Sequence, residues 1–161
     1  MSAIRSYRDR VRDAGRTVSL RDASFGRANA TAEQARELGI PAGTEVWQVH
    51  RLFTADGVPS AYMVEHIPLT VRGVPIDPSS MMQLEYGLFD MLDQHVPGAV
   101  SHTSTDIEAV TVDAADAQLL GIHAGVSVLR TEQLTTDRDG TVLAYGVTLQ
   151  RTDVLRMRIT R

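Results

Sequence analysis

The sequence predicts an α+β fold in which helices pack on one antiparallel sheet. Three observations lead there. Alternating stretches rich in β-branched and aromatic residues are joined by short turn signals, the mark of hairpins rather than βαβ crossovers. The helical stretches between them are too short to stand alone and must lean on the sheet. One unit of helix, sharp turn, strand, hairpin and strand is also written twice: "LGIPAG" at residues 38–43 returns as "LGIHAG" at 120–125.

Taken in order, "SYRDRVRDAG" is a helix closed by Gly15, and "RTVSLRDASF" is a strand. "TAEQARELG" is a helix in which Thr31 and Gln34 have capping-box spacing and Gly39 ends the run in the left-handed conformation. "TEVWQVHRLFT" follows as a strand, "ADG" as a turn and "VPSAYMVEHIP" as the return strand, with Pro59 and Pro68 marking where pairing can begin and stop. A proline-bearing loop, "RGVPIDPSS", leads to a helix, "EYGLFDMLDQH". The strand "VSHTSTDIEAVTV" alternates well enough to have one buried face. Asp113 then caps the helix "DAADAQLLG", and "GVSVLRTEQLTT", the turn "DRDG" and "TVLAYGVTLQR" complete the second copy.

The two copies agree well beyond the hexapeptides. Ala35 falls on Ala117, Val46 on Val128 and Leu52 on Leu134; after one inserted residue, Gly57 falls on Gly140 and Ala61-Tyr62 on Ala144-Tyr145. Two copies are too few for a solenoid. A single pseudo-symmetric domain over residues 1–161 is the expectation.

Composition narrows the function classes. Hydrophobic residues make up 43% of the chain and charged residues 22%, ordinary for a globular domain. No apolar run has the length of a membrane span, and "MSAIRSYRDRVRD" is charged where a signal peptide would be apolar. The absence of cysteine excludes disulfides, zinc–thiolate sites and thiol nucleophiles, and fits a cytoplasmic protein. The net charge is −4, yet residues 1–36 carry eight arginines against Asp9, Asp13, Asp22 and Glu33. No helix-turn-helix pattern accompanies this basic end, so a solvated helix and strand is favoured over a nucleic-acid surface.

Catalytic and metal-binding patterns are absent from the sequence. The five histidines have no metal-ligand spacing, and no GxSxG, Walker or GxGxxG motif occurs. Asp137, Asp139 and Gly140 lack the remaining ligands of a calcium loop and suit a hairpin turn. The expectation is no catalytic residue, no metal and no cofactor.

One side chain stands out. Alternation in "EVWQVHRLF" puts Trp47, Val49, Arg51 and Phe53 on one side of the strand, and Val46, Gln48, His50 and Leu52 on the other. Arg51 therefore projects among large apolar groups. A buried guanidinium keeps its proton and calls for an anion. The anion could be Glu65 or Glu108 within the chain, or the acidic group of a ligand; an arginine snorkelling out at a sheet edge is the third possibility.

The phrase "HRLFTADGVPSAYMVEHIP", with "GLFDMLDQ", "IEAVTVDAADAQLLGIHAGVSVL" and "TTDRDGTVLAYGVTLQRTD", resembles the UTRA effector-binding domain of GntR-type transcription regulators of the HutC subfamily. The resemblance covers the chain from about Ser6 onward and implies a chorismate lyase-like fold. It also implies a dimer, a small and often anionic effector, and contact with DNA only through a winged helix-turn-helix domain that is not in this chain.

Of the family's ligand residues, the resemblance places the arginine at Arg51. Phe53 stands where a second arginine is common, and Met63 where a glutamate is common. Gly87 takes the place of a phosphate-holding serine, Phe89 that of a tyrosine, and Gln150 that of a late tyrosine, while Arg151 and Asp153 keep the final motif. These substitutions remove charge and hydroxyls but leave one arginine. The implied effector is an acid more hydrophobic than a sugar phosphate. The alternatives are a chorismate lyase-like enzyme using Arg51 and Glu108, and a dimerisation module with no ligand. A sheet containing return strands such as "VTLQRTDVLRMRI" has an edge that pairing with a second copy would protect.

Overall fold

The structure, a computed structural model, describes residues 6–158. Its centre is a six-stranded antiparallel sheet in the order β1-β2-β3-β8-β7-β6. The strands are β1 (Val18–Asn29), β2 (Glu45–Ala55), β3 (Val58–Pro68), β6 (His102–Thr111), β7 (Ser127–Thr136) and β8 (Val142–Gln150). Thr70–Val71 and Val74–Pro75 form a two-residue ladder, β4 and β5, inside the proline-bearing loop. A 3₁₀ turn, Pro78–Met82, follows it.

Local chemistry accounts for most of these elements. The β2–β3 hairpin turns through Asp56 and Gly57 at φ 49° and 77°, the two left-handed positions that a tight hairpin needs. Helix α1 (Tyr7–Asp13) is capped by the Ser6 hydroxyl, which accepts from the Asp9 N–H. Helix α2 (Ala32–Leu38) has the expected capping box, and Gly39 ends it at φ 67°. Helix α4 (Ala114–Leu120) is capped by Asp113 and ended by Gly121 at φ 65°.

The alternation of β2 divides the core into two layers. On one face, which we call the front, Trp47 and Val49 pack with Ile67, Leu143 and Ala144 beneath the 3₁₀ turn and helix α3 (Leu88–His95). Phe53 packs there with Ala61, Met63 and helix α1. On the back face, Leu52, Tyr62 and Leu149 lie under α4, while Val46, Tyr145 and Val147 lie under α2.

Three expectations are corrected. Helix α3 begins at Leu88 rather than Glu85, because Gly87 is extended (φ −90°, ψ −177°) and donates its N–H to the Asp90 carboxylate at 2.9 Å. Strand β6 has no buried face, since among the described residues nothing packs over that edge beyond the end near α4. The return strand written through "VTLQRTDVLRMRI" stops at Gln150, as the central strand β8, which pairs with β3 from Ala61↔Gln150 to His66↔Tyr145; β1 and β6 are the edges. Among the described residues, no helix is long and apolar enough to cross a membrane.

Candidate functional site

Arg51 is 6% exposed in the middle of β2. Its Nη1 donates to the carbonyl oxygen of Tyr86 at 3.1 Å, and its guanidinium lies 4.9 Å from the centroid of the Phe53 ring. The buried Nε–H has no hydrogen-bond partner among the described residues. Burial pulls the guanidinium below its ordinary basicity, with Glu65 opposing that trend. The group still carries its charge, because no protein environment removes a proton from arginine at neutral pH.

Glu65 is the carboxylate nearest in the sheet to Arg51. Arg51 pairs with Met63 and Val49 with Glu65, so the two charged side chains leave the front face as diagonal neighbours on adjacent strands. They do not close an ion pair. Glu65 lies instead against β8, where a Cβ added to Gly146 would sit 2.4 Å from its Oε2. Glu65 makes no hydrogen bond to a described residue, and burial raises it to about 7 against the pull of Arg51. Glu108, the other candidate partner, is on the far edge strand and pairs with Arg130 at 3.3 Å.

The remaining site residues separate into three groups. Phe53, Met63 and Gly87 surround Arg51: the first beneath its guanidinium, the second opposite it on β3, the third next to Tyr86. Phe89 packs on the cluster formed by α3 and the 3₁₀ turn. Gln150 and Arg151 bond to the chain itself. Gln150 is fully buried and donates to the Leu155 carbonyl at 3.2 Å. Arg151 donates to the carbonyls of Pro59 and Leu120 and pairs with Asp153 at 2.8 Å. The Tyr86 carbonyl escaped the sequence, as a backbone acceptor leaves no residue-type signal.

The back face carries a separate polar array. Tyr62 Oη lies 2.5 Å from His50 Nδ1, His50 Nε2 lies 3.1 Å from Gln48 Oε1, and Gln48 Nε2 lies 3.2 Å from His66 Nε2. His66 Nδ1 ends the chain at the Tyr145 carbonyl, 3.2 Å away. Beside it is a cavity of about 350 Å³ floored by Tyr62, Val64, Val147 and Leu149, with Asp116 and Arg130 at its rim.

The front face thus holds a buried arginine between the sheet and a roof of short helices. The UTRA domain profile matches residues 13–156, and the chain belongs to that family. It is 21% identical over 153 residues to the HTH-type transcriptional repressor NagR of Bacillus subtilis, covering 95% of this chain and 61% of that protein. It is 25% identical over 134 residues to an HTH-type transcriptional regulator of Rhizobium meliloti, RB1450, covering 81% of this chain and 52% of that protein. The chain thus spans between half and two thirds of the length of these relatives. Among solved structures, PhnF of Mycobacterium smegmatis superposes with a TM-score of 0.78 at 24% identity, over 99% of this chain and 68% of that one. The effector domain of PhnF alone gives 0.76 at 24% identity, over 96% of this chain and 92% of that one. A GntR-family regulator of Bacillus cereus gives 0.75 at 16% identity, over 91% and 98%. These likenesses are of fold.

Proposed function

We propose that this chain is the ligand-sensing domain of a cytoplasmic, dimeric GntR-type regulator of the HutC kind, whose operator contacts are made by a separate winged helix-turn-helix domain. The effector is a small acid, more hydrophobic than a sugar phosphate, held by Arg51 over a lining of Phe53, Met63 and Phe89 with Gly87 at the rim. The observation that carries this reading is the buried Nε–H of Arg51, which no atom of the described residues accepts. An orphaned donor on a buried cation is costly, and a ligand oxyanion would relieve it. Ligand binding moves the operator equilibrium only as far as the acid prefers one arrangement of the dimer.

The test is a thermal-shift titration of the chain with sugar phosphates and with aliphatic and aromatic carboxylates, repeated on Arg51→Met. The carboxylates stabilise the wild type by several degrees at concentrations well above Kd, and the variant loses that response. Stabilisation by sugar phosphates alone overturns the proposed effector class. An enzymatic role predicts pyruvate release from chorismate; a sensor gives none.

A further inference from the structure

Arg51 and Glu65 have complementary deficits. Among the described residues, the buried Nε–H of Arg51 has no acceptor and the half-buried Glu65 carboxylate has no hydrogen-bond donor. They leave the same face of adjacent strands at diagonal positions, where opposite charges ordinarily meet. Each is nevertheless held away from the other. Arg51 is anchored on the Tyr86 carbonyl and the Phe53 ring. Glu65 leans onto the opposite neighbour, β8, in the space left by the missing side chain of Gly146.

Gly146 has no backbone need to be glycine. Its φ lies outside the left-handed region, it sits inside a regular strand, and a glycine there weakens the strand. What the glycine provides is room: any Cβ would come within 2.4 to 2.8 Å of the Glu65 carboxyl atoms. The missing side chain leaves the room in which the Glu65 carboxylate lies, on the β8 side of β3 rather than the Arg51 side.

We propose that the effector is amphoteric: an apolar molecule with an acidic group that engages Arg51 and a hydrogen-bond donor, an amine or hydroxyl, that engages Glu65. This rests on the assignment of Arg51 made above and adds Glu65 as the residue that decides specificity. A plain acid satisfies Arg51 but leaves the half-buried Glu65 carboxylate without a hydrogen-bond donor among the described residues. A site built to bond a donor discriminates strongly against the analogue that lacks it. Because burial holds Glu65 near neutrality, an ammonium placed beside it favours the ionised form and expels a proton.

The experiment is calorimetric titration of the chain with straight-chain ω-amino carboxylates and with the unsubstituted carboxylates of matching length, run in two buffers of different protonation enthalpy. At the matching length, the amino acid binds about tenfold or more tightly than the plain acid, with net proton release near pH 6. Glu65→Gln and Gly146→Ala, the latter displacing the carboxylate without removing it, bring the two series to equal affinity and abolish the proton release. If both series bind alike in the wild type, or the preference survives in either folded variant, Glu65 has no such role and the anion assignment at Arg51 stands alone. Should neither series bind, both assignments fall.

Discussion

The guanidinium of Arg51 reaches from the middle of β2 to the carbonyl of Tyr86, 35 residues further along the chain, at 3.1 Å. Tyr86 precedes Gly87, the N-cap of α3, so this one bond ties the front of the sheet to the start of the helix that roofs it. A charge seated there serves the fold poorly by itself. Apolar residues of similar volume usually replace buried ionic groups with little loss.

That comparison gives the first prediction. Arg51→Met keeps the volume and the contact with Phe53, so stability changes by no more than about 1 kcal/mol in urea unfolding, while stabilisation by carboxylates disappears. A loss of several kcal/mol would mean that Arg51 is there chiefly to hold α3.

The second concerns acid–base linkage at Glu65. The unfolded chain releases this proton near pH 4.5, whereas the folded chain holds it to about 7. The stability contributed by the protonated group is fully present below pH 4.5, falls as pH rises between those values, and is gone above about 7. Arg51 is the charged group that faces it, and the pull of that cation is already included in the raised value. Urea unfolding at about pH 5 and about pH 8 should differ by up to ~3 kcal/mol from this group. In Glu65→Gln the contribution is absent, so the difference between wild type and variant must itself change across that window.

The third is a tautomer assignment. His66 Nδ1 faces the Tyr145 carbonyl, which can only accept, so His66 carries its proton on Nδ1. Its Nε2 then accepts from the Gln48 amide, Gln48 Oε1 accepts from His50 Nε2–H, and His50 Nδ1 accepts from the Tyr62 hydroxyl. Burial lowers both histidines, so both are neutral at pH 7. Nitrogen-15 shifts should report the Nδ1–H form for His66 and the Nε2–H form for His50. Gln48→Leu, which leaves ring nitrogens unpaired, should cost about 1–3 kcal/mol.

The fourth contrasts core with edge. Leu92, on the inner side of α3, is fully buried, and Leu92→Ala should cost about 2–5 kcal/mol through the cavity it leaves. Ile107, 42% exposed on β6, should tolerate threonine within about 0.5 kcal/mol. Chemical denaturation of the two variants measures both.

The boundary between what was legible in the sequence and what was not follows the range of the interactions. Alternation placed Trp47, Val49, Arg51 and Phe53 on one face, because a strand's side-chain period is a property of neighbouring residues alone. The helix ends at Gly39 and Gly121, the caps at Thr31 and Asp113, and the Asp56-Gly57 turn were legible for the same reason. The α3 start was misjudged by three residues, since Tyr86 can continue a helical pattern, whereas Gly87 is extended and donates its N–H to Asp90.

Chain-distant pairing lay beyond the sequence. That β8 would lie beside β3, that β6 would go uncovered, and that Glu65 would turn towards Gly146 rather than Arg51 all depend on residues far apart in the chain. The sequence by itself determined the elements, the faces of β2 and the presence of an arginine among apolar groups, since period, cap and turn chemistry act over a few residues. Only the tertiary structure decided which carboxylate would stand near that arginine and how far it would be held from it. Strand order is chosen by the burial of whole faces at once, and no local pattern encodes that choice.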